Sequence, residues 1–160
     1  MRKNFRRTLG LVVLLFVAGC ALEARAQDNA MKTPAQGSAE SLYKRLGGYD
    51  ALAAVTDDFI VRLVTDKSLG RFFGGASDDS KKRIRQLVVD QLCAATGGPC
   101  VYIGRSMKTV HTGLGITEED WNVAVKHLTD SLNKFKVPKP EQDEFFKIVG
   151  TLKADIVEKK

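Results

Sequence analysis

The chain has no Gly-x-x-x-x-Gly-Lys phosphate loop, no Gly-x-Gly-x-x-Gly fingerprint, no His-Glu-x-x-His and no Gly-x-Ser-x-Gly. Phosphate cradling, dinucleotide binding, zinc proteolysis and serine-hydrolase chemistry therefore have no signature here. Histidine and cysteine are scarce, with 2 and 3 copies in 160 residues. One histidine cannot hold a bare zinc ion, which needs several protein ligands. No alternating apolar and polar run marks a strand, so no sheet is expected. What is present is 44% hydrophobic residues, enough at this length for one globular domain with a real core.

Acidic residues are missing from the start of the chain. Arg2, Lys3, Arg6 and Arg7 precede Cys20 with no carboxylate among them. Of the 25 Lys and Arg, 21 remain after position 19 against 19 Asp and Glu, so the formal charge of +6 falls to +2. A nucleic-acid partner is not implied. The basic start leads into an apolar run from Leu9 to Gly19, the length of a signal-peptide core and short for a membrane span. Val17-Ala18-Gly19-Cys20 resembles a bacterial lipobox, which implies cleavage of residues 1–19 and a lipid on Cys20. The alternative is ordinary cleavage after Ala24-Arg25-Ala26. Either way the expected location is the cell envelope, and with the lipobox the protein is membrane-anchored, facing the periplasm or the exterior. Residues 20–40 have no period and read as a flexible tether.

From Ser41 the apolar spacing is helical. Leu42, Tyr43 and Leu46 predict a short helix ended by Gly47-Gly48, and Leu52, Val55, Phe59 and Leu63 share a face of a second, over about residues 50–65. Phe72-Phe73-Gly74-Gly75 makes a corner. Ser77 can cap a third helix whose face carries Ile84, Val88, Gln91, Leu92 and Ala95, and Gly97-Gly98-Pro99 stops it. Thr117 with Asp120 starts a long helix with a stripe of Trp121, Ala124, Val125, Leu128, Leu132 and Phe135. Pro138-Lys139-Pro140 breaks it, and Phe145, Val149, Leu152 and Ile156 form the core face of a last helix. With Cys20 lipidated, Cys93 and Cys100 flank the Gly-Gly-Pro stop, and in an oxidising compartment that spacing invites a disulfide; two buried thiols are the alternative.

One histidine stands in a short helical turn between glycine-rich hinges, in Gly97-Gly98-Pro99, through Met107-Lys108-Thr109-Val110-His111-Thr112, to Gly113-Leu114-Gly115-Ile116-Thr117. By itself His111 reads as an ordinary hydrogen-bonded histidine. In its setting, the segment resembles the proximal haem-binding region of group I truncated haemoglobins. The resemblance implies an all-α fold, a two-over-two helical sandwich around a haem, over residues 41–158. It places His111 on the haem iron, where the porphyrin supplies four nitrogens and the protein one imidazole. The second ring nitrogen is then expected to donate to a nearby acceptor such as a backbone carbonyl.

The same resemblance puts Phe73 flat against the porphyrin and makes Met107 and Leu114 the wall on the His111 side. Tyr102, together with Lys82, Arg83 and Arg105, is a candidate partner for the haem propionates, and Trp121 joins the cofactor-contacting set. Phe59 matches the phenylalanine before the family's usual distal tyrosine, whose own position is Ile60. Ile84 and Val88 stand where relatives often carry polar groups, so oxygen release is expected to be fast, with Gln91 as the nearest substitute donor. His127 is read as structural, the alternative being a second axial ligand. No Cys-x-x-Cys-His is present, so the haem is expected to be non-covalent and b-type. The implied function is reversible binding of oxygen, carbon monoxide or nitric oxide, as carrier, sensor or scavenger, with an unspecified electron donor. The alternatives are a haem enzyme of nitric-oxide dioxygenase or peroxidase type, and a haemless helical adaptor on a lipid anchor.

Overall fold

The computed structural model describes residues 40–159. The expected export signal, the expected lipid anchor at Cys20 and residues 20–39 of the expected tether lie outside the described residues. Among those described, helices make the whole framework. Helix α1, Leu42–Arg45, is one turn that buries Leu42. Gly47 follows with a φ of 95°, a left-handed conformation that glycine adopts without a Cβ penalty, and turns the chain into α2, Gly48–Thr65. The second helix thus begins at Gly48, ahead of the expected residue 50.

The first half of α2 buries Leu52, Ala53, Val55 and Thr56, whose hydroxyl donates to the Leu52 carbonyl at 2.8 Å. In its second half Phe59, Ile60 and Leu63 are only half-buried. A 3-10 turn at Gly70–Phe73 makes the corner. Helix α3, Asp78–Ala95, starts at Ser77, whose side chain accepts from the Ser80 N–H, with Asp78 and Asp79 at the positive end of the helix dipole. It stops at Gly97, φ 83°, and Gly98, where a Cβ would come within 2.5 Å of the Tyr43 ring and 2.7 Å of Cys93 Sγ. A disulfide joins Cys93 to Cys100 across this stop. The free-thiol alternative is thereby set aside.

Helix α4, Met107–His111, is short and capped by Ser106. Helix α5, Glu118–Lys134, has the expected reciprocal cap between Thr117 and Asp120. Pro138 caps α6, Lys139–Gly150, and α7 is the single turn Lys153–Ile156. The predicted last helix is therefore interrupted after Gly150. Two further expectations fail at helix ends. Val89, Leu92, Cys93 and Thr96 make the buried face at the end of α3, which leaves Ala95 exposed. Phe135 falls beyond α5 as its C-cap and is 41% exposed.

Helix α2 packs against α3 and α5, α1 against α2 and α6, and α4 against α7. The core runs through Leu42, Leu52, Leu92, Leu128, Leu132 and Phe145. Phe145 is wholly buried, a burial that stabilises by about 1.5–3 kcal/mol. Asp58 of α2 accepts from Arg62 Nε at 2.6 Å, and from Lys134 Nζ at 2.5 Å and Ser131 Oγ at 2.8 Å on α5. Arg62 first and Lys134 next hold its carboxyl well below the usual carboxylate range.

Candidate functional site

The half-buried apolar side chains of α2 have a common reason. They face a cavity of about 490 Å³ enclosed by α2, the 70–73 corner, α3, α4, α5 and the end of the chain. That volume lies in the ~300–1,000 Å³ range of sites that enclose small organic ligands. Of the residues expected at the cofactor, ten line it: Phe59 and Ile60 from α2, Phe73 from the corner, Ile84 and Val88 from α3, Tyr102 from the connecting loop, Met107 and His111 from α4, then Leu114 and Trp121, whereas the propionate candidates Lys82, Arg83 and Arg105 do not. The lining also includes residues that the sequence did not place at the cofactor, among them Phe72, Leu87, Val110, Ile116 and Val149. Their spacing fits core packing as well as cavity walls, so periodicity could not tell the two apart.

His111 closes α4. Its Nδ1 lies 2.7 Å from the carbonyl oxygen of Met107, one turn earlier. A carbonyl can only accept, so Nδ1 carries the proton and the lone pair sits on Nε2. This is the expected second-nitrogen bond, and it orients the ring while leaving Nε2 available as a ligand.

Most other polar lining groups are committed elsewhere. The Tyr102 hydroxyl donates to the Arg105 carbonyl at 2.7 Å. Its ring lies over Gly104, where a Cβ would come within 2.3 Å. That hydroxyl, expected on a propionate, here makes a bond that shapes the loop. Lys82, another candidate there, is 80% exposed and stands 3.6 Å from Asp79.

Asp120 is 5% exposed and takes three partners: both its oxygens accept from Arg71 Nη2, at 2.8 and 2.7 Å, and Oδ2 also accepts from the Thr117 N–H and hydroxyl. Burial pushes its carboxyl upward, but the Thr117 N–H, Arg71 and the Thr117 hydroxyl together hold it below the ordinary value. Arg71 also stacks over the Phe72 ring at 4.3 Å. The 70–73 corner is thereby fixed to the start of α5, a pairing across 49 residues that no local motif announces.

Gln91, the substitute donor named from the sequence, stands in the lining. It faces the cavity beside Ile84 and Val88, and its amide has no hydrogen bond to another described residue. Among the described residues, then, the lining that holds Ile60, Ile84 and Val88 also carries a side-chain amide without a partner. His127 is absent from the lining and bonds through Nε2 to Asp66 Oδ2 at 2.8 Å. That carboxylate, held far down by Ser68 and then by His127, also accepts from the Ser68 and Leu69 N–H groups and so braces the turn after α2.

The donor set is one imidazole nitrogen in an otherwise apolar enclosure. It suits a flat apolar ring system whose metal already has most of its ligands, and so it fits haem. Among the described residues no cluster of three or more His, Cys, Asp or Glu could hold a bare metal ion.

Comparison with known proteins agrees with this geometry. The profile of the bacterial-like globin family matches residues 41–158. A group 1 truncated haemoglobin of Mycolicibacterium paratuberculosis is 36% identical over 116 residues, covering 72% of this chain and 83% of the relative. One from a Nostoc species is 32% identical over 96 residues, covering 58% and 75%. Among solved structures, the 2/2 haemoglobin of Synechococcus, in a cyanomet state with covalently attached haem, superposes with a TM-score of 0.67 at 27% identity, over 73% of this chain and 98% of that one. The truncated haemoglobin of Tetrahymena pyriformis superposes at 0.69 with 22% identity, over 74% and 98%, and shares the two-over-two fold. From the family match, the sequence identity and the shared helical sandwich, the chain belongs to the bacterial-like globins as a group 1 truncated haemoglobin.

Proposed function

We propose that this haem-binding globin holds its iron through His111 Nε2 and receives a diatomic gas on the side of the pocket bounded by Ile60, Ile84, Val88 and Gln91. Haem and the class of gas ligand come with the family. The assignment of residues is our reading, and the observation that carries it is the free Nε2 of an imidazole whose other nitrogen is bonded to the Met107 carbonyl. Bound haem supplies four porphyrin nitrogens and an iron with a position open to a gas. The chain supplies the axial nitrogen, an apolar enclosure against Phe59, Phe73 and Trp121, and one amide able to donate to a polarised ligand.

A carrier or scavenger suits these walls better than a peroxidase. Peroxidase-type chemistry wants a free acid-base group beside the reacting ligand. Asp120, the carboxylate of the lining, is locked to Arg71 and Thr117. No Cys-x-x-Cys-His is present, which supports non-covalent haem.

The test is titration of haem into purified apoprotein. Wild type and His127→Ala should each take one haem with a sharp Soret band, and His111→Ala should lose stable binding or bind far more weakly. An unchanged spectrum in His111→Ala would rule out the ligand assignment.

We also propose that Cys20 carries a lipid and tethers the globin to the envelope membrane through residues 20–40, a reading supported by Val17-Ala18-Gly19-Cys20 at the end of the apolar run. Cys20→Ala should release the protein from membranes or stop its maturation. A soluble wild-type protein beginning at Gln27 would contradict it.

A further inference from the structure

We propose that Glu158, just beyond α7, is a positioning residue that clamps the loop after His111 and so sets how the imidazole is presented to the iron. The inference rests on the reading of His111 as the axial ligand.

Helix α4 has five residues, too few to hold itself in place, so the orientation of His111 depends on what secures the ends of that helix. On the C-terminal side the chain runs through Gly113, φ 87°, and Gly115, φ 66°. Both conformations are left-handed, and together they turn two N–H groups toward one carboxylate. Glu158 Oε1 accepts from the Gly113 N–H at 2.7 Å and Oε2 from the Gly115 N–H at 2.5 Å. Hydrogen bonds to an ionised acceptor are stronger than neutral ones, and two of them fix an angle as well as a distance.

The held loop is tied directly to the ligand residue, because the Leu114 N–H donates to the His111 carbonyl at 3.1 Å. Backbone bonds complete the bracket. Ile116 O accepts from the N–H groups of Glu158 and Lys159, at 2.9 and 3.1 Å, and the Glu118 N–H donates to Lys159 O at 3.1 Å. Leu114 and Ile116 both line the cavity, so the clamp also sets part of its wall. With the Glu158 side chain shortened, the backbone bracket stays and only the grip on the loop is lost. The expected effect is therefore on the ligand, with the fold kept.

The experiment compares haem-loaded wild type, Glu158→Gln and Glu158→Ala by circular dichroism, by the ferrous iron–histidine stretching band in resonance Raman, and by haem transfer to excess apomyoglobin. The alanine variant should keep its helicity, show a shifted or broadened band, and lose haem about 10-fold faster, the scale typical of residues supporting a metal ligand. The glutamine variant keeps one acceptor but sets an NH2 group against the other N–H, so it should fall between. An unshifted band in the alanine variant overturns the proposal even if haem loss quickens, since general loosening gives that result. If the alanine variant fails to fold, the glutamine band decides in the same way. Failure of the His111 reading is distinct, because it appears in wild type as an iron–histidine band that His111→Ala leaves unchanged.

Discussion

Among the described residues, Gln91 has a cavity-lining amide without a partner, whereas the hydroxyl of Tyr102, the carboxylate of Asp120 and Nδ1 of His111 have found theirs inside the protein. A single hydrogen bond is worth about 0.5–1.5 kcal/mol net, so Gln91→Leu should speed oxygen release about 2- to 10-fold. Carbon monoxide, which gains less from a donor, should change little. Flash photolysis of both ligands checks this, and equal oxygen rates in wild type and variant would remove Gln91 from the role. Ile60→Tyr, which restores the donor usual in relatives, should slow oxygen release by a similar factor. His111 and Gln91 were legible in the sequence because their settings are local: one bonds to a carbonyl four residues back, the other stands three residues after Val88 on one helical face. Arg71 and Glu158 were not legible, since their partners lie 49 and about 45 residues away and only the folded chain brings them together.

The helices were readable where their ends carry chemistry of their own. Ser77, Thr117 and the Gly97-Gly98-Pro99 stop do what their side chains or missing side chains dictate. Stripes alone overreached: they carried burial on to Ala95, which lies off the buried face of α3, and to Phe135, which lies beyond the end of α5, and ran α6 and α7 together. The disulfide matters at this scale because it ties the end of α3, which presents Leu92 and Gln91 to the cavity, to the segment leading to Tyr102 and α4. Closing so short a loop restricts the unfolded chain by about 2–3 kcal/mol in the chain-entropy model. Cys93→Ser with Cys100→Ser should lower the denaturant midpoint by a corresponding amount. Alkylation before reduction should label neither cysteine in the native wild type. Two reactive thiols in the native wild type would contradict the bond.

For the molecule as a whole, the all-α class and the two-over-two sandwich followed from the absence of strand periods together with the motif around His111. The cavity itself could not be read, because an apolar residue facing haem and one facing another helix are alike in sequence. A fold built around a space of about 490 Å³ should depend on what fills it. A ligand present at about 1,000 times its dissociation constant adds about 4 kcal/mol, so removing haem should lower the melting temperature markedly and restoring it should recover the loss. Equal melting of apo and haem-loaded protein would mean that haem does not occupy the core cavity. Haem ligation depends most directly on His111, and the measurement that isolates it is the absorption spectrum of haem-reconstituted His111→Gly with and without added imidazole. Without imidazole the variant should lose the spectrum of the wild type, and free imidazole, entering the space left by the side chain, should restore it. A wild-type spectrum in the variant before any imidazole is added would contradict the central claim.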